Sequence, residues 1–142
     1  MQTFDEASDN KLVYEHTVLP LVAHAFRPGG RSTCFAYGQT GSGKTYTMSG
    51  VQLLAARDLF RLIDSPEHAE RGLSVYTAFF EIYGGRCFDV LHRRAKVAIR
   101  EDGRGNVQTM GLRHVHCADE AELLRVIEEG NAYVHEVRNV CE

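Results

Sequence analysis

The sequence lacks the marks of several protein classes. No apolar run in its 142 residues approaches the roughly 18 that a membrane span requires. The first residues, Met1-Gln2-Thr3-Phe4-Asp5-Glu6, are polar and acidic, not the basic-then-apolar order of a leader. Cys34, Cys87, Cys117 and Cys141 are scattered and form no C-x-x-C pair, so neither a disulfide framework nor a zinc ribbon is indicated. No low-complexity tract points to disorder. A net charge of −3 gives no general case for nucleic-acid or membrane partners. The expectation is an intracellular, soluble, reduced protein with room for one real core, 44% hydrophobic and 25% charged.

What is present is concentrated in Gly38-Gln39-Thr40-Gly41-Ser42-Gly43-Lys44-Thr45, which matches G-x-x-x-x-G-K-[ST] at every fixed position. Gly38, Gly41 and Gly43 permit backbone angles and close approach that let successive N–H groups wrap phosphate oxygens. Lys44 supplies a point charge for the β- and γ-phosphates, and the Thr45 hydroxyl suits Mg²⁺. Residues 32–37 read as a short buried strand, and Thr45-Tyr46-Thr47-Met48 opens a helix whose N-terminus favours the same anion. A flexible Gly/Ser/Thr connector is the plain alternative, but it does not account for a Lys-Thr pair at this offset.

The longer segment Phe35-Ala36-Tyr37-Gly38-Gln39-Thr40-Gly41-Ser42-Gly43-Lys44-Thr45-Tyr46-Thr47-Met48 resembles the P-loop of a kinesin motor domain. The resemblance implies ATP and Mg²⁺ as cofactors. It also implies Gly38, Gln39, Thr40, Gly41, Ser42, Gly43, Lys44, Thr45 and Tyr46 as the nucleotide-binding residues, with Tyr46 stacking on adenine. Packing of Tyr46 against its own helix is the other reading.

Upstream, Ser8 or Asp9 caps an amphipathic helix carrying Val13, Tyr14, Val18, Leu21, Val22, Ala25 and Phe26. Pro20 should bend it, and Arg27-Pro28-Gly29-Gly30 should end it. This order also resembles the second strand and first helix of kinesin motors. Downstream, Leu53, Ala56, Phe60 and Ile63 mark a helical face that should stop before Pro66. Kinesins usually interrupt this helix with a sizeable loop; here Met48-Ser49-Gly50 passes almost directly to Val51-Gln52-Leu53, so that loop is expected to be deleted or minimal.

Residues 73–83 read as one long strand, apolar on both faces and suited to the middle of a covered sheet. Phe80-Glu81-Ile82-Tyr83 is similar to a kinesin core-strand motif. Glu81 is then a nearly buried carboxylate, either a catalytic base or the partner of a basic or backbone donor. Residues 96–100 and 106–110 alternate around Asp102-Gly103-Arg104-Gly105, a hairpin signal. The corresponding kinesin hairpin contacts tubulin. Arg93, Arg94, Lys96, Arg100 and Arg104 would then face the acidic tubulin surface, or else be merely solvated. Residues 101–112 most resemble the internal-motor, microtubule-depolymerising kinesins.

His114 and His116 would share one face of a strand, but no second cluster completes a zinc site, and an exposed strand end is the simpler reading. Ala118-Asp119-Glu120 caps a helix with Leu123, Val126 and Ile127 inward, reaching about Asn131.

The family's first switch, Asn-x-x-Ser-Ser-Arg-Ser-His, does not follow; the sequence there is Tyr133-Val134-His135-Glu136-Val137-Arg138. The second switch is absent too, and so is the Asn-Lys-x-Asp signal of a guanine site. The expected organisation is a partial motor domain over 1–131 and a divergent tail over 132–142. The fold class is α/β: a P-loop NTPase three-layer sandwich, its mostly parallel sheet incomplete and flanked by helices on both faces. The expected function is the ATP-binding segment of a kinesin-like motor or depolymerase of the cytoplasm and cytoskeleton, partnered by microtubules. A non-catalytic nucleotide-binding or interaction remnant is the alternative. A cradle without switches should hydrolyse little, and no complete catalytic set is present.

Overall fold

Asp9 sets the first element, its carboxylate accepting from the Leu12 N–H at 2.7 Å as the cap of helix α1, Asn10–Thr17. Pro20 has the expected effect in a sharper form. The helix does not bend but breaks at Val18 and restarts as α2, Leu19–Ala25, with Pro20 in its first turn, where a missing N–H costs nothing. The computed structural model describes residues 2–39 and 41–141, arranged as two compact units, Met1–Leu73 and Ser74–Glu142.

In the first unit, α3 runs unbroken over Lys44–Ile63, so the loop expected to be deleted or minimal is absent from it. Asp64 closes it, ahead of Pro66. Helices α1 and α3 pack through Tyr14, Val18 and Val51, with Leu19, Val22, Leu54 and Ala55 against them. Gly50 lets them meet, because a Cβ there would fall 2.3 Å from the Asn10 side-chain nitrogen. The Tyr14 hydroxyl donates to Asp58 at 2.9 Å inside this contact. Burial, then the neighbouring Asp58 carboxylate, pushes the Tyr14 phenol well above its ordinary range. Arg61 pairs with the other Asp58 oxygen at 3.3 Å. The inner stripe of α3 is thus turned from the expected one: Ala56 is buried, but Leu53 is 53% exposed. The buried polar pair Tyr14–Asp58 fixes which side of α3 meets α1, and apolar spacing alone does not carry that information.

Residues 32–37 do not form the expected buried strand. They have no strand partner among the described residues, and Phe35 and Tyr37 are 88% and 101% exposed. An extended segment becomes a strand only by exchanging backbone hydrogen bonds with a neighbour, and the described residues of this unit offer no other strand.

Among the described residues the second unit holds six short strands: β1 Val75–Thr77, β2 Phe80–Tyr83, β3 Arg86–Asp89, β4 Ala95–Glu101, β5 Val107–Met110 and β6 Val115–Cys117. One sheet has the order β2-β3-β4-β5, and β1 pairs separately with β6. The expected single strand over 73–83 is therefore split between two sheets. Ala78 and Phe79 separate the halves, and the Phe79 carbonyl accepts from Val90 N–H instead of continuing a ladder. Every ladder among the described residues is antiparallel, where a mostly parallel sheet was expected. Short turns such as Gly84-Gly85 and Asp102–Gly105 can join only antiparallel neighbours, and parallel pairing needs a long crossover.

Helix α4, Glu120–Cys141, continues well past Asn131. Asp119 accepts from Glu122 N–H, while the Glu122 side chain accepts from Ala118 N–H, a reciprocal start close to a capping box. Leu123 and Val126 are buried as expected, in the same unit as Cys87, Val90, Val97 and Cys117. Gly130 permits a tight approach: a Cβ there would meet the Phe79 ring at 2.8 Å. Asp89, fully buried, ties this unit together by accepting from Leu91 N–H at 2.9 Å and Arg113 N–H at 2.7 Å. No helix among the described residues is long and apolar enough to cross a membrane.

Candidate nucleotide-phosphate site

The loop before α3 is shaped by its glycines. Gly41 and Gly43 lie at φ of 84° and 83°, in the left-handed region where a side chain is strained. Gly43 is the residue that starts α3, and the Thr47 N–H bonds to its carbonyl at 3.0 Å. At Gly38 a Cβ would lie 2.6 Å from the Ser42 hydroxyl, so a larger residue there would force the Ser42 side chain to turn away. The Ser42 N–H closes the turn on the Gln39 carbonyl at 3.2 Å. Thr40 lies outside the described residues.

Lys44, the first residue of α3, folds back over the loop. Its Nζ donates to the Gly38 carbonyl at 2.7 Å and to the Gln39 carbonyl at 2.6 Å. The ammonium is therefore held at the mouth of the loop by neutral oxygens. The first turn of α3 carries no acidic residue, which leaves the positive helix end uncompensated. Thr45 is exposed beside it, and the Tyr46 ring is 75% exposed. The packing alternative for Tyr46 thus finds little contact; its backbone carbonyl instead accepts from the Asn10 amide at 3.4 Å.

These residues fit a polyphosphate with Mg²⁺: a tight glycine turn, a positive helix end, an ammonium held by neutral carbonyls and an exposed hydroxyl. The two carbonyls use two of the three N–H donors of the ammonium, so one donor and the full positive charge remain for a phosphate oxygen.

Glu81 takes the second of its two readings. It forms an ion pair with Arg94 Nε at 2.6 Å, and the Arg94 guanidinium lies 4.8 Å from the centre of the Phe88 ring and 5.8 Å from that of Tyr83. Arg94 is thus a member of the sheet's own packing, while Arg93, Lys96, Arg100 and Arg104 are exposed. Lys96 and Arg100 share one face of β4 by the period of two. The β4–β5 turn is built by Asp102, which accepts from Arg104 N–H and from the backbone and side chain of Asn106. Those bonds, the Asn106 backbone one first, hold its carboxyl below the ordinary value of 3.8. Among the described residues no three His, Cys, Asp or Glu side chains converge as for a metal. The His116 ring sits 5.2 Å from Tyr76.

Sequence reasoning missed the Lys44 tether, which depends on carbonyl directions, and the Asp89 bridge, whose partners lie 2 and 24 residues away. An acid ending an apolar strand was the signal available for Asp89.

A family model described as the kinesin motor domain matches residues 1–139. Among solved structures, the chain is similar to kinesin KIF14, seen as a dimer with AMP-PNP in complex with a microtubule. That match has a TM-score of 0.74 and 30% identity and covers 91% of this chain. The chain spans 40% of the length of that structure.

Proposed function

Because the chain belongs to the kinesin motor domain family, we propose that it is the nucleotide-binding portion of a microtubule motor, coupling ATP hydrolysis to movement along microtubules or to tubulin removal. The observation that carries this is the phosphate loop, a left-handed Gly43 delivering Lys44 as the first residue of a 20-residue helix. In this reading Gly38, Gln39, Thr40, Gly41, Ser42 and Gly43 wrap the phosphates, and Lys44 neutralises them. Thr45 ligates Mg²⁺, and Tyr46 offers its exposed ring to the adenine. The partner is tubulin, approached by the exposed Arg93, Lys96, Arg100 and Arg104 of unit two, and the location is the microtubule cytoskeleton. Neither nucleic acid nor a membrane is a partner.

In the complete motor the fold is a three-layer sandwich with a mostly parallel sheet, in which residues 32–37 become a paired strand. Residues 1–131 are the motor portion, and 132–142 depart from the switch sequence of the family. The hairpin sequence supports membership of the internal-motor, depolymerising subfamily. Without switch residues to place water and report the γ-phosphate, this chain by itself hydrolyses little ATP.

A second reading, a nucleotide-binding remnant without catalysis, is favoured by one observation: residues 133–138 read Tyr-Val-His-Glu-Val-Arg where the family's first switch is expected. Titration of a fluorescent ATP analogue with Mg²⁺ tests the shared premise. The chain should bind saturably and Lys44→Ala should abolish binding. A folded protein that binds nothing overturns both readings of the loop. Turnover equal to that of an intact motor would overturn the claim of weak hydrolysis.

A further inference from the structure

A cavity of about 490 Å³ lies in the first unit at the far end of α3, lined by Leu62, the end of α2 and the segment after α3. Lys44 and Leu62 sit near opposite ends of a 20-residue helix, which is about 30 Å long at the usual rise per residue. The cavity is therefore separate from the phosphate loop, and its ligand chemistry is independent of any nucleotide bound there.

Its wall is an aromatic pair. Phe26 and His68 stack with ring centroids 5.0 Å apart and planes 15° from parallel, and each is only 9% exposed. Arg71 is fixed beside them, its Nη1 donating to the Phe26 carbonyl at 2.7 Å, which leaves its other N–H groups to serve a ligand. Arg27 joins it on the lining, where Glu67 is the single acid. Two guanidiniums against one carboxylate leave one net positive charge. Ala23, Pro28 and Leu62 supply apolar surface. His68 Nδ1 is buried with no hydrogen-bond partner among the described residues. Such a nitrogen is costly as it stands, and a ligand reaches it only if the Phe26–His68 stack opens. The volume lies within the range of small-molecule sites, about 300–1,000 Å³.

We infer that this cavity binds a planar aromatic monoanion, a carboxylate on a ring of one or two cycles. The guanidiniums take the carboxylate, in the fork geometry arginine favours. The ring lies among Phe26, Leu62 and Pro28, and the Phe26–His68 stack adjusts to it.

The probe is 2-naphthoate, titrated into the full chain while the His68 ring signals are followed by NMR. One saturable transition is expected, centred on His68 and Arg71. The neutral 2-naphthalenemethanol should bind at least tenfold more weakly. Arg71→Gln should weaken naphthoate at least tenfold. Because Arg71 also anchors Phe26, the exposed Arg27→Gln is the second variant, expected to weaken binding at least threefold without changing the circular dichroism. An ATP analogue with Mg²⁺ should not displace the probe. The proposal is overturned by any of four results: no saturable shift at His68, shifts scattered over the surface, equal affinity for the alcohol, or displacement by nucleotide.

Discussion

At the residue scale, the buried polar groups separate most clearly from the exposed ones. Asp89 is fully buried and accepts from two backbone N–H groups, those of Leu91 and Arg113. Asp89→Ala would orphan both, at about 1–3 kcal/mol each for a buried unsatisfied donor. The variant should lose several kcal/mol in urea denaturation, and Asp89→Asn should recover part, since its amide oxygen can still accept. Tyr14→Phe removes the donor to Asp58 and should cost about 1.5–3 kcal/mol, as for a bond to a charged group. The Tyr14 phenol also predicts an alkaline effect. Its folded pKa lies above the ordinary value of 10.0, so its contribution is fully present below pH 10 and is lost as pH rises beyond. Tyr14 should not ionise in the folded protein near pH 10, and phenolate absorbance at that site should appear only with unfolding. Gly43→Ala places a Cβ at φ 83° and should weaken nucleotide binding and stability together.

At the element scale, the helices were legible in the sequence and the strands were less so. The cap at Asp9, the interruption at Pro20 (expected as a bend and found as a break) and the stop before Pro66 are local, decided by hydrogen bonds within a few residues, whereas α4 runs on past the end expected near Asn131. The hairpin was legible for the same reason: Asp102 organises its turn through neighbours two and four positions on. That turn carries its own acid test. The folded carboxyl sits below 3.8, so its contribution is present above that value and is lost as pH falls through the lower, folded one. Amide exchange in β4 and β5 should rise below pH 3.8 relative to the other strands, and Asp102→Ala should remove that step and show raised exchange at neutral pH. Residues 32–37 and 73–83 were not legible, because apolar content says that a segment will be covered but not by what. Phe35 and Tyr37 are apolar yet stand exposed, and Phe79 leaves its ladder to serve Val90 and to face Gly130. The α3 face was misjudged at Leu53 for a similar reason, since a buried tyrosine–aspartate pair outweighed apolar spacing.

At the scale of the whole molecule, the glycine loop proposed to bind phosphate and the basic hairpin occupy different units, Met1–Leu73 and Ser74–Glu142. The glycine turn and the helix start at Lys44 were legible, because G-x-x-x-x-G-K-[ST] fixes both by spacing. The state of Lys44 was not, since its two carbonyl partners appear only in three dimensions. The division predicts that the two proposed activities separate. Lys96→Glu with Arg100→Glu reverses charge on one exposed face of β4, far in sequence from the loop, and should abolish co-sedimentation with microtubules. A charge-driven contact is screened within about 8 Å at physiological ionic strength, so the unmodified chain should also lose affinity steeply as salt rises. Binding of the ATP analogue should be unchanged in the double variant, and Lys44→Ala should show the converse pattern. If both variants lost both activities, the units would be coupled in this chain, and the hairpin could not be treated as an independent tubulin contact.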